Sequence, residues 1–514
     1  MIRSLVAASA VLALVACATP GERASPRYPS TAGEDRAAAW LEAHRDRPPM
    51  LRALLHAMPK GGDIHTHLSG AVYAESYIAW AAQAHLCVDT AASTLARPPC
   101  DPARGLRPVA DALQDSDFYG ALIDGLSTRN LADRPQSGHN QFFAAFRRFA
   151  EATVGQGPEM VAEVAARAAD QQVSYLEMMV TIRGGDIRAL AQKVQFDAGD
   201  FAATRQRLLS AGLADVVKGG IGDLDQLERE VNRHLECGPA TAPAACGVVR
   251  RYLQQSSRGA EPGVVFAQLL YAFELAAADR RVVGINLVAP EDDRVALRDY
   301  HLQMRMVGWL AGAYPGVNIA LHAGELTLGL VRPEDLRFHV REAIEVAGAR
   351  RIGHGVDIGY ERDAVPLMQA MKERRVLVEI CLTSNDVILG VKGPQHPFPD
   401  LLRAGVPVTL ATDDEGVSRT DLTNEYLRAT TTYGLGYREL KSIARNSLTY
   451  SFLEGASLWG DGATRELAAP CAGARPGLDP PDACRRFLDA NPKARLQWAL
   501  ENAFGRFEAS SWLR

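Results

Sequence analysis

An eightfold alternation of short apolar runs with helical stretches predicts a (β/α)8 TIM barrel. Two further observations point the same way. The polar residues of chemical interest stand at the C-terminal ends of several different runs, and two connections are long enough to be insertions over a barrel mouth. The candidate strands are Asp63–His67, Ser174–Val180, Val248–Leu253, Val283–Ala289, Val317–His322, Arg351–His354, Val376–Leu382 and Val406–Ala411. Between them, Pro333–Gly348 places Leu336, Val340, Ile344 and Ala347 at helical spacing, and Ala364–Arg374 is patterned alike. An open doubly wound sheet is the structural competitor, but polar residues at the ends of many strands suit the single mouth of a barrel better. Helical insertions after strands 1 and 2 occupy about 68–172 and 181–247. Such segments cover an active-site mouth or make a partner surface, and a homodimer is one possible use of the latter. Glu34–Met58 reads as a helix before the first strand, so the barrel domain spans 34–460 and leaves 461–514 as a C-terminal extension.

At 514 residues the chain exceeds the usual single-core size, in keeping with one large domain carrying insertions. A net charge of -5 gives no electrostatic footprint for a nucleic acid, so a small-molecule substrate is expected. Arg3 followed by the apolar run Leu5–Ala16 has the geometry of a signal-peptide core, too short to span a membrane as a mature helix. The run ends Leu14-Val15-Ala16-Cys17, which resembles a bacterial lipoprotein box. That box would put a lipid anchor on Cys17 and the protein in the cell envelope, in the periplasm or anchored to the outer membrane. The alternative is an ordinary secretory signal that leaves a soluble periplasmic protein. Residues 1–17 are thus read as signal and 18–33, rich in Pro, Ser and Gly, as a flexible tether. Cysteine usage agrees with export. Cys87 with Cys100, Cys237 with Cys246, and Cys471 with Cys484 fall into local pairs in Pro/Ala/Gly-rich loops, where disulfides would restrict loop entropy in an oxidising compartment. Cys381, in an apolar strand, is left as a buried free thiol.

The chemistry sits at four strand ends. His65 and His67 flank Thr66 at the end of the first strand, and because alternate residues share a face, both imidazoles point into the barrel, where a pair suits a divalent metal. Alone, a His-x-His is weak evidence. His322 ends the fifth strand, and Glu325 follows after Gly324, which lets the backbone turn sharply. His354 ends the sixth strand between two glycines. Asp413 and Asp414 end the eighth; two acids after a buried apolar run are costly unless a cation meets them, and a metal would be that cation.

Five stretches recur in the order of a known family: Met58-Pro59-Lys60-Gly61-Gly62-Asp63-Ile64-His65-Thr66-His67-Leu68, Leu321-His322-Ala323-Gly324-Glu325, Ile352-Gly353-His354-Gly355-Val356, Cys381-Leu382-Thr383-Ser384-Asn385 and Thr412-Asp413-Asp414. Together they resemble the adenosine deaminase family of metal-dependent amidohydrolases, especially its secreted, growth-factor-like branch and bacterial relatives. The resemblance covers about Met58 to Tyr426. It implies hydrolytic deamination of adenosine or a related 6-aminopurine nucleoside to the 6-oxo product, inosine, and ammonia, with one Zn2+ per chain. It further implies that His65, His67, His322 and Asp413 bind the zinc, that Glu325 protonates the purine ring, that His354 handles the attacking water and that Asp414 orients it. Ser69, Ala289, Ser384 and Asn385 are the expected substrate contacts, with a turn role the equal alternative for Ser384 and Asn385 at the end of the seventh strand. The physical logic agrees: such a metal site keeps a position for water and lowers its pKa to about 7. Attack at carbon 6 needs a proton at the neighbouring ring nitrogen, and a Glu kept neutral by burial supplies one.

Three departures bear on substrate. Ser69 stands where the better-known enzymes carry an acid, Asn286 and Ala289 interrupt a fourth-strand pattern that resembles Gly-Ile-Asp-Leu-x-Gly, and Glu415 replaces a frequent Pro. Gly284–Ala289 offers no Lys to bridge two metals, which favours one. His139, His301 and His339 are expected to be surface or structural, and His396 structural. Two other readings remain open: a different metal-dependent amidohydrolase, and a nucleoside-binding envelope protein without turnover. Glu325 speaks against the first and the intact set of ligands, acid and base against the second.

Overall fold

The computed structural model describes residues 31–133, 136–238, 242–460 and 466–513. The expected signal, Cys17 and nearly all of the tether lie outside the described residues. The described residues form eleven strands: β1 (Gly61–His67), β2 (Cys87–Asp89), β3 (Thr94–Ala96), β4 (Leu106–Pro108), β5 (Val173–Val180), β6 (Val249–Ser257), β7 (Val282–Val288), β8 (Asn318–Ala323), β9 (Arg351–His354), β10 (Leu377–Ile380) and β11 (Val408–Leu410). Eight of them make one parallel sheet in the order β1-β5-β6-β7-β8-β9-β10-β11, the eight expected strands in their expected sequence. They read as apolar runs because helices cover the sheet's outer face and the barrel interior covers the other. The last strand closes onto the first just past its end. Thr66 bridges Asp413 in parallel, the His67 N–H donates to Asp413 O at 3.0 Å and the Asp413 N–H donates to His65 O at 2.9 Å. The seam of the barrel is therefore built around the candidate ligands His65, His67 and Asp413.

Several elements differ from expectation. β6 runs on past Leu253 to Ser257, through Gln254, Gln255 and Ser256; these polar residues hide the strand from a hydrophobic pattern, and Gln254 Oε1 accepts the Ile182 N–H at 3.1 Å. The expected helix at Glu34–Met58 is two helices, Ala32–Ala43 and Pro48–Ala57, because Pro48 and Pro49 can start a helix but not continue one. Thr31 caps the first of these, so helix begins inside the expected tether. Of Pro333–Gly348 only His339–Glu345 is helical, although Leu336, Val340, Ile344 and Ala347 are all buried as the spacing requires. The insertion at 68–172 is not wholly helical, since β2, β3 and β4 form a small antiparallel sheet within it. Cys87–Cys100, Cys237–Cys246 and Cys471–Cys484 are all disulfide-bonded, and Cys381 is a buried free thiol.

The extension beyond residue 460 closes the barrel floor. Its last helix, Pro492–Glu508, is tied to the helix Tyr437–Thr449: Lys441 Nζ and the Tyr437 hydroxyl meet Glu508 Oε1 at 2.6 and 2.9 Å, and Arg445 grips Glu501 at 2.6 Å. That second helix in turn accepts the Gly62 N–H on Ser447 Oγ at 2.7 Å, at the N-terminal end of β1, the end of a barrel that serves stability and not chemistry. Inside, the fully buried Arg351 lies 2.6 Å from both Glu177 and Glu379, with its guanidinium 3.8 Å from the Phe452 ring centre. Breaking such a buried pair on one side costs about 3–5 kcal/mol. None of the described helices is long and apolar enough to cross a membrane.

Candidate active site

The C-terminal ends of β1, β8 and β11 bring His65, His67, His322 and Asp413 together, with one nitrogen or oxygen from each within 4.8 Å of the others. Every imidazole has its other nitrogen occupied. Nδ1 of His65 meets Glu379 Oε2 at 2.5 Å, that of His322 meets Asn286 Oδ1 at 2.9 Å and that of His67 faces Gln255 Oε1 at 3.3 Å. Each acceptor is an oxygen, so each Nδ1 carries the proton and each Nε2 presents a lone pair to the centre. His67 Nε2 and His322 Nε2 stand 3.1 Å apart, and His65 Nε2, fully buried, has no hydrogen-bond partner. Asp413 Oδ1 is 3.3 Å from both His65 Nε2 and His67 Nε2, while its Oδ2 accepts from Ser384 Oγ at 2.6 Å. Three lone pairs and a carboxylate oxygen aimed at one point repel one another unless a cation stands there, so the donor set fits one divalent metal ion. Burial and the neighbouring imidazoles hold His322 well below the usual histidine range, which keeps it neutral for that task.

Two glycines make the packing feasible. A Cβ on Gly353 would lie 2.6 Å from the His65 ring, and one on Gly70 would lie 1.5 Å from Asp414 Oδ1. The backbone is strained at the candidate site, since His354, Asp413 and Ala289 take φ values of 68°, 61° and 86°. Each such residue costs about 1–3 kcal/mol that the surrounding fold must offset.

Beside the cluster stand Glu325, His354 and Asp414. Burial above all, then the charges of Asp413 and Glu291, push the Glu325 carboxyl well above its ordinary range, which favours its protonated form. Its Oε1 is buried without a hydrogen-bond partner, 3.6 Å from His354 Nε2. Burial pushes His354 down to about 3 even against the pull of Asp413, leaving a neutral ring. Asp414 is raised well above the carboxylate range, by burial first and by Asp413 second, and its Oδ1 has no partner. Two carboxyl groups shifted towards their protonated forms and an imidazole shifted towards its neutral form thus flank the candidate metal-binding cluster, an arrangement suited to hydrolysis at an electron-poor carbon next to a basic nitrogen.

A cavity of about 360 Å3 opens from this cluster, lined by His67, Gln255, Glu325 and Asp414 and walled by Phe142, Phe143 and Phe146. Ser69 and Ala289 line it too. Ser384 and Asn385, expected to touch substrate, stand instead behind the site: Ser384 on Asp413, and Asn385 between His354 and His396. Glu415, in place of Pro, is buried against Arg167 at 2.6 Å. His139 pairs with Asp292, His301 with Glu342 and the buried His339 with Glu291. Sequence reasoning missed Gln255, Glu379 and Glu291. Glu291 takes the Gly324 and Glu325 N–H groups at 3.1 and 2.9 Å and so fixes the turn that aims Glu325. Glu379 left one signal, a carboxylate in mid-strand among apolar neighbours, which demands a partner.

A family model described as adenosine deaminase matches residues 158–457. Adenosine deaminase of Enterococcus faecalis is 36% identical over 138 residues, 27% of this chain and 37% of its own length. Aminodeoxyfutalosine deaminase of Streptomyces coelicolor is 38% identical over 140 residues, 27% and 33% of the two chains, and adenosine deaminase of Clostridium botulinum is 32% identical over 186 residues, 35% and 51%. The chain thus spans a third to a half of the length of these curated relatives. Among solved structures, Arabidopsis ADAL complexed with IMP shares the fold with a TM-score of 0.50 at 21% identity, over 78% of this chain and 94% of its own.

Proposed function

The chain belongs to the adenosine deaminase family, and from that premise we propose that it hydrolyses the 6-amino group of adenosine or a related 6-aminopurine nucleoside, giving the 6-oxo product and ammonia. Glu325 carries the reading. A generic metal-dependent amidohydrolase does not need a buried carboxyl group, shifted towards its protonated form, beside the metal cluster, whereas attack on an aromatic amidine requires one. Zn2+ is the ion proposed for His65, His67, His322 and Asp413, a set of nitrogen and oxygen donors that suits it; bound there it would lower the pKa of a water to about 7 and so supply the nucleophile.

The chain's own residues do the rest. Glu325 delivers its proton to the ring nitrogen as negative charge grows there. His354 hydrogen-bonds the incoming oxygen and Asp414 holds it in line; one proton of the water passes to the departing nitrogen, which leaves as ammonia, and the other returns to Glu325 as the 6-oxo group forms. The Ala289 N–H, on the cavity wall, is the proposed purine contact, and Ser69 the contact at the sugar end. The three disulfides support an oxidising, exported setting; the anchor proposed at Cys17 rests on the run Leu14-Val15-Ala16-Cys17 alone.

Among the described residues, the cavity lining includes neither Lys nor Arg to meet a phosphate. Incubating the zinc-loaded protein with adenosine, deoxyadenosine, adenine and AMP, with ultraviolet absorbance and ammonia as readouts, is expected to show turnover of the nucleosides and least of AMP. No ammonia from any of the four would reject the proposal.

A further inference from the structure

A chain of hydrogen bonds runs from the backbone after the seventh barrel strand to His354, and each link in it dictates the next. It starts at a group that cannot be reversed. The Phe398 backbone N–H is only a donor, and it lies 3.1 Å from His396 Nδ1, which must therefore accept. Burial pushes His396 down to about 4, so the ring is neutral and its single proton sits on Nε2. That Nε2–H faces Asn385 at 3.0 Å, so the amide presents its oxygen to His396 and its NH2 to the other side. There, 2.9 Å away, stands His354 Nδ1. Against an N–H donor this nitrogen must carry a lone pair, which leaves the ring's proton on Nε2. Nε2 is the nitrogen nearest Glu325, and it is buried with no hydrogen-bond partner of its own.

We propose that Asn385 and His396 are positioning residues that lock His354 in the Nε2–H tautomer, so that it meets the reacting oxygen as a hydrogen-bond donor and not as a base. The catalytic half of this rests on the deaminase reading above; the tautomer itself does not. Reversing the ring would place an N–H against the Asn385 NH2, and relieving that clash by turning the amide would break the bond to His396. Neither residue needs to touch substrate, and neither lines the cavity.

The test uses zinc-loaded protein labelled with 15N-histidine. Long-range 1H–15N spectra separate the two neutral tautomers, and the His354 signal is identified by its loss in His354→Ala. The wild type is expected to show a protonated Nε2 and a bare Nδ1. Asn385→Asp offers an acceptor on both sides and is expected to draw a proton onto Nδ1, with kcat falling by roughly 100-fold or more, since the wrong tautomer of a catalytic imidazole costs up to roughly 10⁴-fold. KM and zinc content should change little. His396→Gln, which can still donate to Asn385, should keep more of the rate than His396→Phe. A wild-type His354 protonated on Nδ1, or an Asn385→Asp protein that keeps both the Nε2–H signal and its rate, would overturn the proposal. Should Asn385→Asp fail to fold, the wild-type spectrum alone decides. A wild type that deaminates no purine would refute the function and leave the spectrum to judge the tautomer.

Discussion

Glu325→Gln is expected to lower kcat by roughly 10²–10⁴-fold while leaving the metal bound. Gln has the shape of Glu, and the turn beneath it, held by Glu291 through the Gly324 and Glu325 N–H groups, does not depend on the side chain. What disappears is the transferable proton. Because that proton acts in the transition state and not in binding, kcat and kcat/KM should fall together with KM little altered. Steady-state kinetics and elemental analysis on the same preparation check both halves. A near-normal rate would remove Glu325 from the role of acid.

His322→Ala and Asp413→Ala are expected to abolish turnover by a different route, through loss of the ion. Changing a partner one step behind a metal ligand weakens binding roughly 10–100-fold, and deleting a ligand should do at least as much. Asp413 supplies the cluster's negative charge, its Oδ1 lying 3.3 Å from both His65 Nε2 and His67 Nε2. Its removal leaves three lone pairs with no anion among them. Metal content after dialysis, set beside that of Glu325→Gln, separates the two kinds of loss. Retention of stoichiometric metal by either alanine variant would mean that the ion is held elsewhere.

The sequence made the barrel and the centre of the site legible for the same reason: polar atoms at the ends of buried apolar runs are expensive, so His322, His354 and Asp413 stand out against their strands. Glycine helped, since Gly353 is required by the His65 ring lying against it. What stayed hidden is set by distance along the chain. Glu379 orients His65 from 314 residues away and Asn286 orients His322 from 36, and no local pattern encodes a partner that only the closed barrel delivers. β6 was underestimated because Gln254 and Gln255 break its apolar run, and β2, β3 and β4 are three residues each, too short for any period to register. Asn385 looked like a substrate contact because it lies at a strand end, yet its side chain faces His354 and His396 instead.

The proposed turnover depends on a single ion held where the barrel closes on itself. Metal-stripped protein titrated with zinc while ammonia release from adenosine or deoxyadenosine is followed tests it directly. The rate should rise linearly from near zero and level off at one zinc per chain. Full activity without added metal in verified apo-protein, or a plateau only at two ions per chain, would contradict it.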